Sequence, residues 1–208
     1  MQCSLCGSET ILYSEAHNRK YYKCPQCKGI LLDSIYFLST EAEKERYRLH
    51  ENDVHDLGYQ KFVSPIVNAI NEKYKSNHKG LDFGSGKDSV IAYQLQKKGY
   101  NISTYDPFFD PDNNALQTKY DYIACCEVIE HFNNPTKEFK LLHSLLHKGG
   151  ILFCKTNLHD ESINFDSWWY KNDATHVFFY SYDTLHWVQQ KFKFKTIEVA
   201  NDLIIFTK

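Results

Sequence analysis

The 208-residue sequence predicts an α/β protein: a mainly parallel sheet flanked by helices, with a small cysteine-rich module in front of it. Three observations predict it. The apolar run Leu81-Asp82-Phe83 meets a glycine turn, Gly84-Ser85-Gly86, and a helical pattern follows to Lys98. From Lys79 onward, strand-length apolar runs alternate with helix-length patterns, as in a parallel sheet. Two Cys-x-x-Cys pairs stand within the first 27 residues.

Composition bounds the reading. The chain is 42% hydrophobic and 15% aromatic, enough for a core, and its formal net charge is -2, so nothing demands a nucleic-acid partner. No apolar run approaches the ~20 residues that span a membrane. Met1-Gln2-Cys3-Ser4 has neither the basic flank nor the apolar segment of a signal peptide. A cytoplasmic location with reduced thiols is the expectation.

Residues 1–36 are read as a zinc ribbon. Cys3 and Cys6 are separated from Cys24 and Cys27 by 17 residues, within the spacing of four-thiolate zinc sites. Each pair turns two thiolates toward one centre, and two pairs complete a closed tetrahedron. Disulfides are the competing reading, which a reducing compartment disfavours. The tip, His17 to Lys23, is basic and aromatic, a pattern that also suits a nucleic-acid backbone. With four Lys/Arg against three Asp/Glu in the first 33 residues, a scaffold or substrate-pocket role is the better fit.

Residues 37–78 are read as a helical connector and cofactor lid. Ser39 or Thr40 caps a helix over Glu41–Leu49. The polar run His50–Gly58 reads as a loop with His55 at reach of a cofactor. An amphipathic helix follows over Tyr59–Tyr74, with a kink or break expected at Pro65.

Residues 79–208 are read as the catalytic domain. The turn after Phe83 carries Asp82 and Asp88, and Ser89 stands where a dinucleotide fingerprint has its third glycine. Acids there suit a cationic ligand such as S-adenosylmethionine better than a pyrophosphate. Asp88 also reads as a capping-box partner of Ser85. A strand over Asn101–Tyr105 ends at Asp106, 20 residues past Gly86, where a carboxylate reaches both ribose hydroxyls of a nucleoside; a simple turn aspartate before Pro107 is the plainer alternative. The next strand, Asp121–Cys126, runs into Glu127-Val128-Ile129-Glu130-His131-Phe132. A helix capped by Asn134 with Pro135 at its first position is expected to stop at Lys148-Gly149-Gly150, before a strand over Ile151–Cys154. Residues 156–180 are aromatic and non-repetitive, which marks a functional loop. Ser181 caps a helix to Lys191, and Lys195–Ala200 with Leu203–Thr207 form a closing hairpin.

These blocks, in this order, resemble class I S-adenosylmethionine-dependent methyltransferases over residues 79–155, and the whole chain resembles small methyltransferases with an N-terminal zinc ribbon. The resemblance implies a Rossmann-like sheet of seven strands with strand seven antiparallel. It also implies that Asp82, Gly84, Ser85, Gly86, Asp106, Pro107, Cys126 and Glu127 hold the cofactor. Two departures are plain: Asp88 holds the third glycine position of the methyltransferase turn, and Pro107–Tyr120 is too short for the usual helix and third strand, so Phe108 and Phe109 are candidates to pack on the adenine.

A sulfonium is already activated, so the protein has to position an acceptor and remove a proton. His131 and His176 are the candidate bases. Cys125-Cys126 ends an apolar strand and reads as structural. A small-molecule acceptor is expected. An RNA methyltransferase, a non-catalytic S-adenosylmethionine-binding protein and, more distantly, a dinucleotide oxidoreductase are the alternatives; the oligomeric state is open.

Overall fold

The computed structural model describes residues 1–49 and 53–208. His50–Asn52, part of the expected loop, lie outside the described residues. The central sheet has six strands among the described residues, in the order β5-β4-β6-β7-β10-β9. These are β4 (Lys79–Phe83), β5 (Asn101–Tyr105), β6 (Tyr120–Cys126), β7 (Leu146–Lys155), β9 (Thr196–Ala200) and β10 (Leu203–Thr207). The first four run parallel, and β10 enters antiparallel to β7. The antiparallel strand stands as expected, but the count of seven does not. The segment between β5 and β6 makes only an isolated bridge, Asp106 to Asp110, and one 3-10 turn at Ala115–Gln117.

Both faces are covered. Helix α2 (Leu57–Lys73) and α3 (Val90–Lys97) cover one with Val63, Ile66, Ile70, Ile91 and Leu95. Helix α4 (Pro135–Leu145) and α5 (Tyr182–Phe192) cover the other with Phe139, Leu142, Leu185 and Val188. Helix α2 starts at Leu57, not after Gly58, because the Asp56 carboxylate caps the Gly58 and Tyr59 amides. It runs unbroken through Pro65. The Lys61 carbonyl that proline leaves without an amide donor accepts from the Ser64 hydroxyl at 2.7 Å. Ser89 caps α3 and bonds to Ala92 and Asp82, so the Ser85–Asp88 capping box does not form. Asn134 and Ser181 cap their helices as expected. Lys148-Gly149-Gly150 is not a helix stop. It lies inside β7 as a bulge, where Gly149 has φ +80° and a Cβ on Gly150 would sit 2.9 Å from the Asp121 carbonyl.

The N-terminal module is a second sheet, β1 (Ile11–Ala16), β2 (Arg19–Lys23) and β3 (Ile30–Leu32), with β8 (Phe178–Phe179) added at its edge. The fourth strand comes from the aromatic segment after β7. Tyr21, Ile30 and Leu32 pack with Phe165, Trp168, Tyr170 and Phe179, so the ribbon shares its core with the loop that follows the central sheet. Helix α1 (Thr40–Arg48) buries none of its residues, and Arg46 reaches Asp173 of that same loop at 2.9 Å.

Candidate active site

The carboxyl ends of β4, β5 and β6 open on one cavity of about 1110 Å³. Its floor is the glycine turn. Gly84 has φ +75° and Gly86 +66°, the left-handed region that favours glycine. A Cβ on Gly84 would lie 2.5 Å from Val128 Cγ2, so the residue must be bare on steric grounds as well. Gly84 and Ser85 donate their amides to the Tyr105 carbonyl, which fixes the turn beside β5.

Asp82 is buried beneath the turn and accepts from the Ser89 hydroxyl at 2.5 Å. Burial pushes its carboxyl up to about 6, the Ser89 bond opposes this, and nearby Asp106 adds to it. Asp106 accepts the Gly86 amide on Oδ2 at 3.0 Å and the Phe108 and Phe109 amides on Oδ1 at 2.8 and 3.0 Å. It is therefore a turn aspartate and a wall residue at once. A carboxylate has about four acceptor sites, so with three backbone donors one remains for a ligand. Pro107, Phe108 and Phe109 line the cavity next to it, and Tyr47 of α1 packs on Phe108.

Opposite stands the loop after β6. Cys126 and Glu127 line the cavity, and Glu127 takes φ +50°, strained for a residue with a side chain. The Tyr170 hydroxyl donates to Glu130 Oε1, lies 3.1 Å from Glu127 Oε2 and bonds Thr156 at 2.9 Å. Burial and the neighbouring Glu130 push the Glu127 carboxyl up, against the pull of Lys155, to about 8. Lys155 Nζ is 3.8 Å from Glu127 Oε1 and 2.6 Å from Asp202.

The two histidines of the sequence reading meet here, with ring centroids 4.7 Å apart. His131 Nδ1 is 3.0 Å from the Thr175 carbonyl and His176 Nδ1 is 2.7 Å from the Tyr170 carbonyl. A carbonyl only accepts, so each Nδ1 carries the proton and each Nε2 keeps its lone pair. Desolvation holds His131 below the ordinary histidine range. Burial pushes Asp173 up, but its bonds to Thr175 and the Arg46 guanidinium outweigh this and hold it well below the carboxylate range.

Among the wall residues, Tyr47 went unread in the sequence, and Tyr170 and Asp173 were read only as members of the functional segment 156–180, without a role of their own. Helical spacing flagged Phe62 only as an apolar position. His55 of the expected lid packs on Tyr93, and Tyr59 lines the cavity.

Away from this cavity, Cys3, Cys6, Cys24 and Cys27 converge, with all four sulfurs within 4.8 Å of one another. Cys3 to Cys27 is 3.5 Å and Cys6 to Cys24 is 3.3 Å, and none is in a disulfide. Zn–S bonds of about 2.3 Å place tetrahedral sulfurs roughly 3.8 Å apart, so the four-cysteine cluster fits a small zinc ribbon.

The sequence matches the methyltransferase domain family over residues 55–199. The chain belongs to that family. The fold agrees with solved methyltransferases. A S-adenosylmethionine-dependent methyltransferase from Archaeoglobus fulgidus superposes with a TM-score of 0.54 at 14% identity, covering 72% of this chain and 94% of that one. An O-methyltransferase family protein from Burkholderia thailandensis gives 0.53 at 10% identity, covering 79% of this chain but 61% of that one. A complex of the Haloferax volcanii Trm112 methyltransferase activator with a putative methyltransferase gives 0.51 at 11% identity, over 74% of this chain and 95% of that one. Among the described residues of this chain no helix is long and apolar enough to cross a membrane.

Proposed function

We propose that this enzyme methylates a small molecule held in the end of the cavity walled by His131, His176 and the aromatic segment. One observation carries the reading: the glycine turn and the histidine pair open into a single space of about 1110 Å³. That exceeds what one drug-sized ligand fills, so donor and acceptor fit together. When bound, S-adenosylmethionine supplies a methyl group on a sulfonium that needs no further activation.

The chain's own residues do the rest. Gly84 and Gly86 offer backbone with no side chain in the way, and Ser85 lies between them. Asp82 places negative charge where the ligand's ammonium needs it, and the spare acceptor of Asp106 takes a ribose hydroxyl. Pro107, Phe108, Phe109 and Tyr47 form the apolar wall for the adenine, which replaces the missing third strand. Cys126 and Glu127 close the floor between donor and acceptor. His131 and His176 aim their Nε2 lone pairs at the acceptor end, where a proton has to leave. Exposed Trp169 stands at the rim.

The zinc ribbon is assigned to scaffolding. Tyr21, an aromatic of its tip, is buried against Phe165 and Phe179 and offers no stacking face to RNA. The ribbon instead holds β8, and with it Val177, whose amide donates to the Glu130 carbonyl at 2.9 Å. The four-cysteine cluster is read together with a reducing, cytoplasmic location, where such cysteine pairs serve as metal ligands. The test is calorimetric titration of the protein with S-adenosylmethionine and NAD, followed by a screen of metabolite and RNA fractions for labelled methyl uptake. Uptake into small molecules supports the reading. Uptake confined to RNA, or NAD binding in place of S-adenosylmethionine, overturns it.

A further inference from the structure

Glu130 is fully buried, and its Oε1 is held by Tyr170. Its Oε2 has no hydrogen-bond partner. A buried carboxylate oxygen left unpaired costs about 1–3 kcal/mol or more; Thr156 and the Glu127 carboxyl lie near Glu130, and Glu127 Oε1 is unpaired too, so this corner holds more acceptors than donors. Two further donors stand beside it. Glu130, His131 and His176 each offer one ligand atom, and these lie within 4.8 Å of one another. The histidines are set up from behind. Each gives its Nδ1 proton to a backbone carbonyl, of Thr175 for His131 and of Tyr170 for His176, which leaves Nε2 as the nitrogen whose lone pair can ligate. That is the support metal-ligating histidines receive: a carbonyl fixes the tautomer and the ring plane.

From this arrangement we propose that Glu130, His131 and His176 form a second metal site, separate from the cysteine cluster, that binds one divalent cation. The donor set is two imidazoles and one carboxylate, which suits Mn²⁺, Fe²⁺, Co²⁺ or Zn²⁺ and leaves coordination positions open. Bonds of about 2.0–2.2 Å place ligand atoms roughly 3–4 Å apart around one ion, so small side-chain adjustments close the site. His131 and His176 also line the cavity. The open positions therefore face the acceptor end, and the ligand class they favour is an acceptor with an oxygen donor. The inference deepens the function proposed above and rests on it for the acceptor, but not for the cation; with the cation bound, both Nε2 lone pairs are committed to it, and it would polarise the acceptor oxygen in place of the histidines taking its proton.

Mn²⁺ is the probe, because thiolates disfavour it and the ribbon will not compete. The full-length protein, with its zinc in place, is titrated with Mn²⁺ in the presence of S-adenosylhomocysteine. One Mn²⁺ per chain is expected, with nitrogen modulation from imidazole in pulsed electron paramagnetic resonance. Glu130→Gln should weaken Mn²⁺ binding at least about tenfold while S-adenosylhomocysteine affinity stays within about threefold. Wild-type protein that takes up no Mn²⁺, or whose bound Mn²⁺ shows no nitrogen coupling, overturns the site without recourse to any variant. So does a folded Glu130→Gln variant that binds Mn²⁺ as well as wild type. Failure to bind S-adenosylhomocysteine in the same samples would remove the methyltransfer reading and leave the Mn²⁺ result to decide the cation site alone.

Discussion

Asp82 ties the stability of the fold to pH in a direction opposite to most carboxylates. Its side chain is buried, and burial raises its carboxyl to about 6 from an ordinary value of 3.8. The folded protein thus holds this proton to higher pH than the unfolded chain does. Its contribution to stability is fully present below about pH 4 and is lost as pH rises through about 6. The shift corresponds to about 3 kcal/mol in total, of which roughly 1.4 kcal/mol falls between pH 5 and pH 8. Asp82→Asn removes the ionisation and keeps an acceptor for the Ser89 hydroxyl. Urea denaturation of both proteins at pH 5, 6, 7 and 8 reads the effect as the difference in unfolding free energy. The variant should gain on wild type by about 1–2 kcal/mol across that range. Using the difference cancels acid release of zinc, which both proteins share. A difference that stays flat with pH, or slopes the other way, refutes the reasoning and means Asp82 is ionised and satisfied in the apo fold.

Three other outcomes follow from the geometry. Asp106→Ala should weaken S-adenosylhomocysteine binding by about tenfold or more in calorimetry, since it removes a charged acceptor and loosens a turn that holds three amides; unchanged affinity removes the ribose assignment. Gly84→Ala forces a side chain into φ +75° and against Val128, at a cost of about 1–2 kcal/mol for the backbone alone, so the melting temperature should fall by several degrees; an unshifted melt would mean the turn re-forms around the methyl. Cys24→Ser should release zinc, measured by metal analysis, and also unmask Trp168 to quenchers, because β8 and the aromatic cluster lean on the ribbon; full zinc content in the variant contradicts the four-thiolate site.

Much of the central fold was legible because its signals are local. Apolar runs of strand length mark β4, β5 and β6, and Asn134-Pro135 and Ser181 announce helix starts through their own side chains. The errors came where a partner far along the chain decides. Lys148-Gly149-Gly150 has the composition of a helix stop, but Gly150 is bare because the Asp121 backbone passes close to it. Gly58 reads as a loop residue until Asp56 caps its amide. Phe178–Phe179 joins the ribbon sheet through pairing with Ile30 and Leu31, about 150 residues away, which no local pattern records. In the site, the glycine turn and the E-V-I-E-H block carried their own spacing. Tyr170 and Arg46 did not, because their roles come from what the aromatic segment brings against Glu130 and from its own Asp173.

The most direct measurement is a crystal structure of the protein grown with S-adenosylhomocysteine. The expected result places the nucleoside across Gly84–Gly86 with a ribose hydroxyl on Asp106, the adenine against Phe108 or Phe109, and the sulfur directed toward His131 and His176. A cavity that stays empty, or a nucleoside seated with its sulfur turned away from the two histidines, contradicts the account.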